Sequence, residues 1–168
     1  MEPGNEGTPY NVLFICSHNS ARSIMAEALL NRLGSGRFAA FSAGSHPAGA
    51  VHPLALETLT RLGLETAGLR SKDWSEFAGQ AAPRLDFVFT VCDKAAGETC
   101  PVWPGQPMTA HWGVEDPTAV AGDAGQQAKA FRDTVTVLKR RIELMLALPL
   151  RTLDRLSLQK ALDHIGRE

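Results

Sequence analysis

Four apolar residues in a row, Val12-Leu13-Phe14-Ile15, run into the polar octapeptide Cys16-Ser17-His18-Asn19-Ser20-Ala21-Arg22-Ser23. A helix-forming segment, Ile24-Met25-Ala26-Glu27-Ala28-Leu29-Leu30, follows at once. The apolar run does not alternate, so a strand built from it must be covered on both faces. In the order strand, short loop, helix, the loop can turn its backbone N–H groups inward, and the helix adds the positive end of its dipole. The amides of Ser17, His18, Asn19, Ser20, Ala21 and Arg22 then form a cradle for a tetrahedral oxyanion. A cysteine at the start of such a cradle sits where a thiolate is favoured, which makes Cys16 a nucleophile. Arg22 can grip two anion oxygens with its planar fork, and Ser23 can donate a hydrogen bond to the thiolate. The plainer alternative, a buried structural thiol beside a solvated arginine, is disfavoured by the strand–loop–helix context.

The rest of the chain repeats the alternation of strand and helix. Strands are expected over residues 10–16, 37–42, 85–91 and 107–111. Helices are expected over 21–33, closing near Gly34, and from Pro53 to Gly63 with Leu54, Leu56, Leu59 and Leu62 inward. Residues 73–77 suggest one short helical turn. A long helix over 124–147 carries the stripe Ala128, Phe131, Val135, Leu138, Ile142 and Met145. Asp123 is its candidate N-cap, and Lys139-Arg140-Arg141 lies toward the end where cations suit the dipole. Apolar strands alternating with helices predict an α/β domain with a mainly parallel four-stranded sheet and helices on both faces. In that architecture sites form at the carboxyl ends of strands, where both Cys16 and Cys92 fall. Residues 1–9 read as a disordered tail, 10–148 as the domain, and 149–168 as a C-terminal helical extension. The leucines of that extension, with Ile165, would pack on the domain or on a second copy.

With 168 residues, 44% apolar and 21% charged, the chain has the composition of an ordinary soluble protein. A net charge of −1 gives no basic field for nucleic acid. The acidic, polar start is unlike a secretory signal, and the apolar stretch 144–150 is too short to span a bilayer. A cytoplasmic monomer or weak homodimer is expected. There the three cysteines are more readily reactive than structural.

The stretches VLFICSHNSARSIMAEALLNRLG, FSAGSHP, VFTVCDKAAGETCP and HWGVEDP together resemble the arsenate reductases built on the low-molecular-weight tyrosine phosphatase fold. The first is shared by phosphatase and reductase branches. Cys92, Cys100, Pro101 and the segment His111-Trp112-Gly113 before Asp116-Pro117 are similar to the reductase branch. The resemblance implies that Asp116 is the general acid, a role suited to a carboxylic acid reaching over the cradle. Phosphatases of this fold follow the Asp-Pro with tyrosine. Thr118 stands there instead, which disfavours phosphotyrosine as substrate.

The resemblance further implies a thiol relay. Cys16 attacks arsenate, Cys92 attacks Cys16 as arsenite leaves, and Cys100 attacks Cys92, leaving a disulfide for an external thiol reductant. Thioredoxin is the first expectation for that reductant, with glutathione and glutaredoxin second. No tightly bound cofactor is expected. In some relatives the residues matching Asn19, Glu27, Ser42 and Asp73 hold a potassium ion; the alternative is a polar network bracing the loop. His18 either meets the oxyanion or faces solvent, and His111 and Trp112 are expected to pack at the mouth. Two other functional classes stay open: a phosphatase working through a Cys16 phosphocysteine, and a non-catalytic oxyanion-binding domain.

Overall fold

A computed structural model describes residues 8–97, 103 and 105–168. Its sheet has four strands, β1 (Tyr10–Cys16), β2 (Phe38–Gly44), β3 (Phe87–Thr90) and β4 (Met108–His111). They lie in the order β2-β1-β3-β4 and all neighbouring pairs are parallel. The helices are α1 (Arg22–Leu33), α2 (Pro53–Arg61), α3 (Asp93–Ala96), α4 (Ala124–Leu146) and α5 (Arg155–Ile165). Short 3-10 turns occupy Trp74–Phe77 and Pro117–Ala119.

The apolar run decides the centre of the sheet. Val12, Leu13, Phe14 and Ile15 are all 0% exposed, and because successive side chains point to opposite faces, both faces of β1 are covered. Phe14, Phe89 and Trp112 pack as neighbouring rings, with Trp112 stacked on Phe89 at 3.9 Å between centroids. The carboxyl ends of β1 and β3 come side by side, as the register Ile15 to Thr90 requires. Cys16 and Cys92 are thereby brought to one edge.

The helix ends follow local chemistry. Pro53 opens α2, and the His52 ring accepts the Leu54 N–H. Asp123 and Gln126 form a complete capping box at the start of α4. Asp154 caps α5 by accepting from the Ser157 N–H. By contrast, α1 has Ala21 at its N-cap and no side-chain cap, so its first N–H groups stay turned toward the loop.

Several boundaries differ from those expected. β3 spans only Phe87–Thr90 rather than 85–91, although the N–H groups of Asp86 and Val91 still donate to the Asn11 and Ile15 carbonyls of β1. Leu62 caps α2 and is half exposed rather than part of its inward stripe. Residues 149–153 form a turn, so α5 begins only at Arg155. Leu158, Leu162 and Ile165 are buried, whereas Leu156 is 66% exposed. Trp112 donates its ring N–H to the Leu162 carbonyl, tying α5 to the end of β4. Of the expected tail, residues 1–7 lie outside the described residues. Among the described residues, no helix is long and apolar enough to cross a membrane.

Candidate active site

Cys16 ends β1 and is 3% exposed. The loop after it is held from outside. The N–H groups of His46, Ala48 and His52 donate to the carbonyls of Ser17, His18 and Ser20 at 2.8, 2.9 and 2.8 Å. Carbonyls that face outward leave the alternate N–H groups of the loop for its hollow, as an anion nest requires. Asn19 takes a positive φ of 46°, which an asparagine tolerates better than most residues. Gly44 ends β2 against this loop. A Cβ there would stand 2.6 Å from the Ser17 carbonyl and 2.9 Å from that of Cys16, so only glycine lets the two backbones approach.

Ser23, in the first turn of α1, places its Oγ 2.9 Å from Cys16 Sγ. Asn19 Nδ2 donates to the same Oγ at 2.7 Å, so the hydroxyl proton is free to point at sulfur. Arg22 donates to the Val114 carbonyl at 3.1 Å and faces the Asp116 carboxylate at 3.6 Å. It thus bridges the loop to the segment after β4. Asp116 also accepts from the N–H and hydroxyl of Thr118. Burial pushes its carboxyl up. The hydrogen bonds from Thr118 and the nearby Arg22 and His18 outweigh that and hold it below the ordinary carboxylate value.

Cys92 is 2% exposed and lies against the loop. Its Sγ accepts from the Ser17 N–H at 3.2 Å and from the Ala95 N–H at 3.4 Å. A cleft of about 330 Å³ opens beside it, lined by Ser17, His18, Arg22, Cys92, Asp93 and Asp116 among others. His18 is exposed, and Ser20 and Ala21 complete the turn into α1. Cys100, the third expected relay thiol, lies outside the described residues.

One placement corrects the sequence reading and two add to it. Trp112 is not at the mouth but fully buried on Phe89. His111 makes directed contacts: it meets Asp93 at 2.7 Å and Thr90 at 2.8 Å, so it fastens the start of α3 to β4. Arg141, read from the sequence only as a cation suiting the helix dipole, is 6% exposed and donates to the carbonyls of Trp112 and Gly113 at 2.8 and 2.9 Å.

Asn19, Glu27 and Ser42 do come together, but they do not fit a potassium ion. The buried Lys72 ammonium stands among them, 2.8 Å from the Ser42 carbonyl, 2.9 Å from that of Arg70 and 4.0 Å from Glu27. Asn19 Oδ1 accepts the Lys72 N–H, and the Asp73 carboxylate accepts the Ser75 N–H as a turn cap. The oxygens a metal would need already face an ammonium and two amides. Neither Lys72 nor Arg141 was legible as a site residue, since each reads locally as an ordinary surface cation.

Residues 11–159 match the family model described as low molecular weight phosphotyrosine protein phosphatase. A glutaredoxin arsenate reductase from a Synechocystis species is 32% identical over 136 residues, covering 81% of this chain and 95% of that protein. An arsenate reductase solved in a phosphate-binding state superposes with a TM-score of 0.66 at 30% identity, covering 82% of this chain and 97% of that one. A thioredoxin-dependent arsenate reductase from Corynebacterium glutamicum gives a TM-score of 0.57 at 29% identity, covering 85% and 66%.

Proposed function

The chain belongs to the low molecular weight phosphotyrosine protein phosphatase family, and we propose that within it this protein reduces arsenate to arsenite. The observation that carries the reading is the seating of Cys92 on the backbone of the residue next to Cys16. A phosphatase needs one sulfur at the cradle; a two-electron reductase needs a second within reach of the first.

In this reading the loop amides and Arg22 bind arsenate, and Cys16 attacks arsenic while an oxygen leaves as water. Ser23 stabilises the Cys16 thiolate, and Asp116 delivers a proton to the departing oxygen. Cys92 then attacks Cys16 Sγ. The sulfur–arsenic electron pair stays on arsenic, which leaves as arsenite, and a Cys16–Cys92 disulfide forms. Two thiols becoming one disulfide supply the two electrons needed. Cys100 attacks Cys92 next and moves the disulfide to Cys92–Cys100. Thioredoxin is our first choice of reductant, with glutathione and glutaredoxin second. Similar proteins of both kinds support carrying the two. We assign the reaction to the cytoplasm, where thiols stay reduced.

The test is a coupled arsenate-reduction assay run separately with thioredoxin and with glutathione plus glutaredoxin, beside hydrolysis of an aryl phosphate. Arsenate reduction with one of the two reductants is expected. Rapid aryl phosphate hydrolysis with no arsenate reduction under either reductant would overturn the proposal in favour of the phosphatase.

A further inference from the structure

Lys72 is 8% exposed, yet neither the oxyanion cradle nor the relay calls for a lysine there. Its ammonium carries protons to the Ser42 and Arg70 carbonyls and faces the Glu27 carboxylate at 4.0 Å. From Glu27 a series of hydrogen bonds, part-buried at its first member and buried thereafter, leads to the nucleophile. Ser42 Oγ donates to Glu27 at 2.5 Å. Asn19 Nδ2 donates to Ser42 Oγ at 3.0 Å and to Ser23 Oγ at 2.7 Å. Ser23 Oγ meets Cys16 Sγ at 2.9 Å.

The direction of each bond is forced. A carboxylate only accepts, so the single Ser42 proton goes to Glu27 and the Ser42 oxygen is left to accept from Asn19. The backbone N–H of Lys72, which any residue there would supply, holds Asn19 Oδ1 and fixes the amide with both Nδ2 protons toward the two serines, while the ammonium holds the Ser42 carbonyl and faces Glu27. The Ser23 oxygen is therefore an acceptor from Asn19, and its own proton is committed to sulfur.

We infer that Lys72 is a positioning residue, a built-in cation that orients the Glu27–Ser42–Asn19–Ser23 chain so that Ser23 donates to Cys16. An ammonium tethered to the chain replaces any need for a dissolved monovalent cation at this place. Burying Lys72 alone would be costly, and burying Glu27 alone equally so; each is tolerable because the other is present. Burial pushes the Lys72 ammonium down and the Glu27 carboxyl up from their ordinary values, and the charge of each partner works against the shift.

The inference rests on Cys16 as the nucleophile but not on arsenate as the substrate. Its test is the pH dependence of Cys16 alkylation by iodoacetamide, followed by peptide mass spectrometry, which needs neither substrate nor reductant. In Lys72→Met the profile is expected to move to higher pH, with alkylation near neutrality slowed roughly tenfold, as for about 1.4 kcal/mol. Potassium or ammonium chloride should partly restore it, and tetramethylammonium chloride should not. The unsubstituted protein should give one profile in all three salts at equal ionic strength. Ser42→Ala, which cuts the chain one step nearer sulfur, should shift the profile likewise, and the double variant no further than either alone. An unshifted profile in folded Lys72→Met, additive shifts in the double variant, or potassium stimulation of the unsubstituted protein would each overturn the inference. If Lys72→Met does not fold, the salt series and Ser42→Ala decide.

Discussion

The backbone N–H of Ser17, the residue directly after Cys16, donates to Cys92 Sγ at 3.2 Å. Seventy-five residues separate them in the chain, yet the parallel pairing of β1 with β3 makes them neighbours. One loop thus holds the first sulfur by its start and the second by its next amide.

Replacing Cys92 by serine should therefore abolish steady-state arsenate reduction with every reductant while sparing the first attack. The expected result is no turnover, with Cys16 alkylation and weak aryl phosphate hydrolysis retained. Sustained multiple turnover of arsenate in the variant would contradict the relay.

Ser23→Ala removes the hydroxyl that faces Cys16 Sγ. A hydrogen bond to a charged group contributes about 1.5–3 kcal/mol, so the alkylation rate of Cys16 near neutral pH should fall roughly 10- to 100-fold. The fold should persist, because the lost oxygen is small and α1 keeps its packing. Rates measured with iodoacetamide across a pH series check this.

Asp116→Asn keeps the shape of the acid and removes its proton. The first chemical step, followed as the burst in aryl phosphate hydrolysis, should slow on the order of 100-fold with little change in KM. The same variant tests a stability effect. The folded carboxyl is held below its unfolded value, so its contribution is complete above the ordinary carboxylate range. That contribution is lost as pH falls through the folded value, which lies under the ordinary carboxylate range. Melting temperatures between pH 7 and pH 3 should fall more steeply for the unsubstituted protein than for Asp116→Asn.

Arg141→Met leaves the Trp112 and Gly113 carbonyls without their donor. The expected loss is about 1–3 kcal/mol in denaturant unfolding. A lower kcat is also expected, because these carbonyls anchor the segment that carries Asp116. Equal stability of the two proteins would show that water replaces the guanidinium without cost.

The sequence on its own determined the parts governed by near neighbours. The apolar run before Cys16 demanded a strand covered on both faces, and the loop and α1 follow from residues within a few positions of one another. The Asp123 cap and the α4 stripe are equally local. The tertiary structure alone decided which distant groups meet. The Lys72 ammonium reaches the Ser42 carbonyl across 30 positions, and Arg141 reaches that of Trp112 across 29. A lysine before a turn and an arginine late in a helix look like surface charges until the packed fold buries them beside carbonyls that need donors. Backbone preference is set by the residue and its immediate neighbours. The desolvation that turns a charge into a structural cation arises only when remote segments pack around it.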